Sequence, residues 1–579
     1  MLDVLRKFRR IFTRGQKKGL LALLAGLACC SILDSLVVAL MAPFMLLLLN
    51  PDAVYGHPNI LMIFRLLSCP TPRQFLAVFA VGIAAIFLLR GLLRFGLQRR
   101  QAKLIGRYNA ELSRALFEKV ILQPYRYHTT HSSAQLQHLL VVQVAKLFAL
   151  LDSLMSAFSA LTVGVCIVAV LLSTNWAVTL ALVALLSAML LVIHRYIRQN
   201  VKHSAGEYNA AYTGAIKWVY QALGAVKETI VKNRRGFFVQ RYAEFSGHTA
   251  DAHSRYMTWQ AIPKLVIETF SMAVFFSLAA LLIGLGGDTQ SYLPLFATFA
   301  LAATRLIPLF QQTASALNAV TFYQPAVAAV HDICAGNGLC GPGKPTPEKP
   351  EQEHPRLLTS VELLNVGFSF DDAPAPLLEK ASLTVRRGES VALVGPSGSG
   401  KTTLIDIILG LYAPGEGQVL ADGIDIHQNP AWWATMVGYI SQTISLCDGS
   451  IRLNVALGIP EELIDDGRVR QCLERAQLRA FVESLPEGLD TRVGENGVRL
   501  SQGQRQRVAI ARALYDDPDV LVMDEATSAL DTPTEEAVID ALNALAGEKT
   551  LIIVAHRLTT IRRCDRVYRV EDGHVRRER

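Results

Sequence analysis

Apolar residues in the first 330 positions gather in long, nearly unbroken runs. Beyond about position 357 they come in short runs that alternate with helical patterns. A helix needs roughly 20 apolar residues to cross a bilayer. Six segments reach that length: 19–49, 75–98, 147–173, 176–197, 264–285 and 292–319. Their connections alternate. Those at 50–74, 174–175 and 286–291 are the shorter set, while 99–146 and 198–263 are long and carry most of the loop Lys and Arg. Basic loops stay on the cytoplasmic side, so both long connections and both termini are expected there.

The long connections read as helices in their own right. Leu104, Tyr108, Leu112, Leu116 and Val120 recur every four positions, which carries a helix well past the membrane surface. Pro124 and the polar stretch after it break that helix and form a turn on which another domain can dock. The Gly- and Pro-rich stretch 335–355 lacks periodicity and reads as a linker. The organisation is a membrane domain over 1–330, a linker over 331–357 and a soluble domain over 358–579, whose strand-and-helix alternation predicts an α/β sheet.

Composition agrees. A mean hydropathy of +0.30, with 51% hydrophobic and 18% charged residues, is high for a soluble enzyme. The net charge of +8 would suit a nucleic acid or a membrane surface. Seven of the first 18 residues are basic (Arg6, Lys7, Arg9, Arg10, Arg14, Lys17, Lys18), directly before an apolar run. That is the pattern of a membrane anchor, so the bilayer and not nucleic acid is the expected partner. The run that follows is too long for a signal peptide. The nine cysteines form no C-x-x-C pair and suggest mostly unpaired thiols, neither a disulfide framework nor a zinc site.

Chemistry concentrates in the soluble part. "GPSGSGKTT" follows the strand-like "VALV" and opens a helical pattern. In that setting the backbone amides of Gly395, Pro396, Ser397, Gly398, Ser399 and Gly400 (Pro396 lacking one) wrap phosphates beside a helix N-terminus. Lys401 reaches the terminal phosphates, and Thr402, followed by Thr403, ligates Mg²⁺. A second apolar run, "DVLVMDE", ends in two carboxylates: Asp524, suited to the Mg²⁺ shell, and Glu525, suited to polarising an attacking water. A third, "TLIIVAH", ends at His556, a candidate sensor of the γ-phosphate. Together they predict hydrolysis of a nucleoside triphosphate.

Between them lies "LSQGQ", which resembles the LSGGQ signature of the ABC-transporter ATPases. Leu500, Ser501, Gly503 and Gln504 match, and Gln502 replaces the first glycine. The resemblance extends over the chain: Gln442 is similar to the Q-loop glutamine that joins Mg²⁺ to the membrane half, and Asp531 ends a D-loop-like "SALD". Phe370 falls where the family stacks an aromatic on adenine. The family identified is that of ABC exporter half-transporters. It implies a polytopic α-helical membrane domain, six transmembrane helices with long cytoplasmic extensions, fused to an α/β P-loop ABC ATPase domain, with ATP and Mg²⁺ as cofactors. It also implies that each ATP is sandwiched between the P-loop of one copy and the Ser501–Gln504 stretch of another. Because Lys401, Glu525, Ser501 and His556 all occur in this chain, a homodimer with two competent sites is expected.

The cargo must be read from the spans, where Asp34, Arg90, Arg94, Glu268 and Arg305 are charged and Lys264 lies near one end. Charges at such depths pair with each other or face a wet cavity. Pairing of Asp34 with Arg90 and of Glu268 with Arg305 is one reading. The other is an anion site at Arg90, Arg94 and Arg305, since cations outnumber carboxylates and a guanidinium matches a phosphate or diphosphate. "ILDSLVVALMAPFMLLL" and "LAATRLIPLFQQTASALNAVTFYQPAVAAV" are similar to the bacterial lipid-linked oligosaccharide flippases, which implies a polyprenyl-diphosphate glycan as cargo and a bacterial inner membrane as location. The alternatives are a multidrug or simple-lipid exporter, a peptide exporter, a non-transport ATPase and an ATP-controlled channel.

Overall fold

The computed structural model describes residues 2–49, 64, 71–174, 176–284, 289–335, 356–370, 375–524, 532–555 and 561–579. The chain divides into two compact units, Met1–Gln123 with His128–Glu348, and Pro124–Tyr127 with Lys349–Arg579.

The first unit is helical. α1 (Leu2–Ile11) precedes α2 (Arg14–Leu49), α3 (Pro72–Ile121), α4 (Val144–Thr174), α5 (Trp176–Gly224), α6 (Arg235–Gly284), α7 (Thr289–Phe322) and α8 (Gln324–Ala335). α3, α5 and α6 run 50, 49 and 50 residues, far beyond a bilayer's needs, so the expected helical extensions are present. Among the described residues four helical stretches are long and apolar enough to cross a membrane: Arg14–Leu36, Pro72–Ile121, Ser133–Leu172 and Thr179–Gly224. The segments read at 264–285 and 292–319 fall on α6 and α7, partly in residues outside the description.

Tyr108, Leu112, Leu116 and Val120 are buried on one face of α3, as their spacing predicts. Val4, Phe8, Ile11 and Phe12 of the basic N-terminal stretch join the same core with Leu147, Val320 and Val327. The basic residues there ride on an amphipathic helix whose apolar face is buried in protein. α2 approaches α3 closely at Gly19, where a Cβ would lie 2.3 Å from the Tyr108 hydroxyl. Six described cysteines form no disulfide, and Cys334 is disulfide-bonded.

The second unit is an α/β domain with two sheets. β1 (Ser360–Phe368), β2 (Leu378–Arg386), β4 (Glu416–Ala421) and β5 (Ile424–Asp425) form an antiparallel sheet in the order β2-β1-β4-β5. The larger sheet runs β10-β9-β3-β8-β7-β6 and is built from β3 (Ser390–Val394), β6 (Val437–Ile440), β7 (Val520–Asp524), β8 (Thr550–Val554), β9 (Arg566–Glu571) and β10 (His574–Arg577). β3, β7 and β8 are buried along their whole length, which is why each reads as an unbroken apolar run and not as an alternation. The helices that bear on the site are α9 (Lys401–Ile408), α10 (Gln502–Leu514) and α11 (Thr532–Asn543).

Candidate active site

β3 is flanked by β8 and β9, and β8 by β7, all in parallel. Leu393 of β3 and Asp524 of β7 are both in register with Val554 of β8. The sheet therefore brings the "GPSGSGK" loop, Asp524 and the segment leading to His556 to one carboxyl edge. Edges of this kind are where open α/β sheets bind ligands. β6 lies beyond β7 with Ile440 opposite Met523, and Gln442, exposed, leaves β6 at that same edge.

The loop itself turns on glycine. Gly395, Gly398 and Gly400 have φ of +152°, +82° and +96°. At Gly395 a Cβ would sit 2.2 Å from the Val570 carbonyl oxygen, so only glycine fits against β9. Lys401 is 5% exposed, and its Nζ donates to the carbonyls of Gly395 and Pro396 at 2.9 and 2.8 Å, which curls the side chain back over the loop. Gly400 gives α9 no side-chain cap, and Ser399 Oγ is enclosed without a hydrogen-bond partner among the described residues. Uncapped helix amides, an enclosed hydroxyl and a lysine folded over the loop make a donor set that fits a polyphosphate. Thr402 is exposed in the first turn of α9, and Thr403 is half-buried.

Asp524 is 3% exposed. Burial, then the charge of Asp524, pushes the Asp406 carboxyl on α9 up to about 6. Burial, with Asp524 and Asp406, pushes the Tyr439 hydroxyl up to about 12. A buried carboxylate at Asp524 whose charge is felt by the half-buried Asp406 suits a divalent cation, with Asp524 and Thr402 as the residues that would hold Mg²⁺. Asp406 was not singled out from the sequence. Its signal was an acidic residue within the apolar "LIDIIL" that follows the loop.

The signature-like stretch caps α10. Ser501 Oγ accepts from the Gln504 amide at 3.3 Å, and Gln504 Oε1 accepts from the Ser501 amide at 2.8 Å. Gly503 is buried. Gln502 occupies the first helical position, exposed, at negative φ, so nothing there requires glycine. Phe370 is 40% exposed, and its ring lies 5.1 Å from Phe368 and 6.0 Å from Tyr412. Glu525, Asp531 and His556 lie outside the described residues, as does the side chain of Arg305. In the first unit Arg90 ion-pairs with Asp34, and Arg94 lies 3.9 Å from the same carboxylate.

Residues 378–528 match the ABC transporter family, and residues 23–299 match the ABC transporter transmembrane region. The chain is 32% identical over 507 residues to an ATP-dependent lipid A-core flippase of Cupriavidus metallidurans, covering 86% of this chain and 82% of that one. It belongs to the ABC transporters. A relative of the same name from Chromobacterium violaceum is 30% identical over 565 residues, covering 94% and 90%. The structure of a bacterial Atm1-family ABC exporter with ATP bound shares the fold, with a TM-score of 0.75 at 22% identity over 96% of this chain and 94% of that one. This ABC transporter is an exporter half-transporter with one helical membrane domain and one ATPase domain, and it couples ATP hydrolysis to transport.

Proposed function

We propose that this ABC transporter is a homodimeric flippase that moves an anionic amphiphile, a polyprenyl-diphosphate-linked oligosaccharide, from the cytoplasmic to the outer leaflet. The observation that carries the charge of the cargo is the convergence of Arg90 and Arg94 on one carboxylate, Asp34. One cation there is left over, and a second copy doubles the surplus. By sequence, Arg305 adds a further cation to the spans. A spare guanidinium in an apolar setting suits a phosphate or diphosphate, which it binds through paired N–H donors. That two relatives are named lipid A-core flippases supports a lipid as the cargo.

In this reading the membrane domain covers 1–330 with six spans, 331–357 is a linker and 358–579 is the ATPase domain. Both termini are cytoplasmic in a bacterial inner membrane. ATP binds between Gly395–Thr403 with Phe370 of one copy and Ser501, Gly503 and Gln504 of the other, with Asp531 at the junction. Thr402, Gln442 and Asp524 hold Mg²⁺, which neutralises developing phosphate charge. Lys401 orients the phosphates, Glu525 polarises the attacking water and His556 senses the γ-phosphate. Closure of the two ATPase domains on ATP turns the cavity outward, and hydrolysis resets it.

The test is ATP-dependent translocation of a polyprenyl-diphosphate oligosaccharide in proteoliposomes. Wild type should flip it, and Glu525→Gln should not. No flipping by a preparation that hydrolyses ATP would overturn the cargo. A flippase for a differently anchored lipid is the second reading, favoured by the names of the relatives, and lipid A-core in place of the polyprenyl lipid tests it.

A further inference from the structure

A cavity of about 620 Å³ opens among α4, α6 and α7. Each helix contributes from the same end of its apolar segment: α4 near the start of 147–173, α6 around the start of 264–285 and α7 near the end of 292–319. In the proposed orientation this is the cytoplasmic end. Pro263 on α6 and Pro308 on α7 sit at that level, and each removes a backbone N–H from its helix.

The lining presents three primary amides, Gln260, Gln311 and Gln312, and three hydroxyls, Ser153, Ser156 and Ser315. Ser153 Oγ donates to the Ala149 carbonyl at 3.0 Å and Gln311 Nε2 to the Lys264 carbonyl at 3.4 Å, which leaves Gln260, Gln312, Ser156 and Ser315 as the groups most open to a ligand. The two charges are opposite. Lys264 and Asp152 share the lining, and the Asp152 Oδ1 accepts from the Gln101 side-chain amide at 2.8 Å. A bare anion would call for several unopposed cations. A hydrophobic drug would call for an apolar and aromatic wall, and no aromatic residue lines this cavity among the described residues.

A carbohydrate meets both conditions. Its hydroxyls donate and accept, as do side-chain amides and serine hydroxyls, and its C–H face suits Ala261 and Ala316. The volume lies within the range of small-ligand sites, roughly 300–1,000 Å³. We infer that this cavity is a carbohydrate subsite, taking one or two sugar units of the headgroup as the amphiphile enters from the cytoplasmic leaflet. The inference rests on the proposed glycan-bearing cargo and adds the residues that read its sugar: Gln260, Gln311, Gln312 and Ser315, on two helices, with Ser153 and Ser156 opposite.

The test is equilibrium binding to the full chain in phosphatidylcholine nanodiscs, free of sugar-headed detergent. Two probes are compared, farnesyl diphosphate and a farnesyl-diphosphate-linked disaccharide. Wild type should prefer the sugar-bearing probe by about tenfold or more, two or more added hydrogen bonds being sufficient for that. Gln260→Ala/Gln312→Ala should erase the preference while leaving affinity for the sugarless probe within about twofold. Ser315→Trp, which fills the cavity instead of stripping it, should do the same, so misfolding of one variant does not decide the matter. Equal binding of both probes by wild type overturns the subsite and leaves the anionic cargo standing. A preference that survives in both variants does so too, by putting the sugar elsewhere. Binding of neither probe overturns the cargo reading and the subsite with it.

Discussion

Asp406 in α9 feels the charge of Asp524 at the end of β7, which adds to burial in raising the Asp406 carboxyl to about 6. A carboxyl whose folded-state pKa lies above its unfolded value binds the proton more tightly when folded. Ionising it therefore costs stability above about pH 6, and the cost disappears as pH falls toward the unfolded value. Asp524, Tyr439 and Tyr125 are the titratable groups coupled to it. Asp406→Asn should raise the melting temperature of the ATPase domain by about 2–4 °C at pH 8 and by about half as much at pH 5. Scanning calorimetry of the full chain at the two pH values checks this. A gain that does not change with pH would show that burial and the Asp524 charge do not hold Asp406 protonated.

The reciprocal bonds between Ser501 and Gln504 make a capping box, and their geometry separates two substitutions that look alike on paper. Gln502→Gly restores the usual signature glycine but acts at an exposed, ordinary helical position. It should change ATPase activity by less than about twofold and cost up to ~1 kcal/mol of helix propensity. Ser501→Ala removes the cap, which costs about 1 kcal/mol, and on the proposed role also a contact to ATP. Its ATPase activity should fall at least about tenfold, a drop of 1.4 kcal/mol or more in transition-state stabilisation. Steady-state ATPase rates of the two purified variants decide the point.

Much of this architecture was legible in the sequence because the signals were local. Apolar runs such as "VALV" and "VLVMD" mark fully buried parallel strands, and glycines mark the loop that must take positive φ. The four-residue period of Tyr108, Leu112, Leu116 and Val120 marks the buried face of α3. What stayed hidden depends on residues far apart in the chain. Pairing of Arg90 with Asp34, 56 residues earlier, is one of two readings open from the sequence and is the one the structure shows, whereas the approach of Arg94 to the same carboxylate has no local sign. Asp406 has no local sign of its link to Asp524, whose charge reaches it only because the sheet sets β7 near α9. The indole of Trp433 is buried with its Nε1 donating to the Ile408 carbonyl at 2.8 Å, a partner no periodicity announces. The cavity among α4, α6 and α7 escaped for the same reason, its amides and hydroxyls coming from three separate segments.

At Gly395 the backbone leaves no room for a methyl group, because the Val570 carbonyl would be 2.2 Å from it. Gly395→Ala must therefore push the loop away from β9 and spoil the placement of Lys401, whose Nζ is anchored on the Gly395 and Pro396 carbonyls. Gly398, also at positive φ, has open space where its Cβ would be, so Gly398→Ala carries only the conformational cost, about 1 kcal/mol. ATP affinity, measured with a fluorescent analogue, should fall more than about tenfold in Gly395→Ala and less in Gly398→Ala. The reverse order would show that the packing against Val570 does not set the shape of the loop.

The triad of Asp34, Arg90 and Arg94 makes a sharper prediction, because its charges are unequal. Asp34→Asn leaves two cations in an apolar segment with nothing to balance them, and an unpaired charge at that depth costs roughly 2.5–3.5 kcal/mol. Arg90→Gln leaves Asp34 with Arg94, already 3.9 Å away and mostly exposed, free to close on it. The order of thermal stability in lipid should therefore be wild type, then Arg90→Gln, then Asp34→Asn. The double variant Asp34→Asn/Arg90→Gln should regain most of what Asp34→Asn loses, since a single arginine on a long side chain can reach the interface. A double-variant cycle on melting temperature measures the coupling directly. Additive losses would show that the pair contributes no net interaction, and the surplus of positive charge assigned to this part of the membrane domain would then be two cations instead of one.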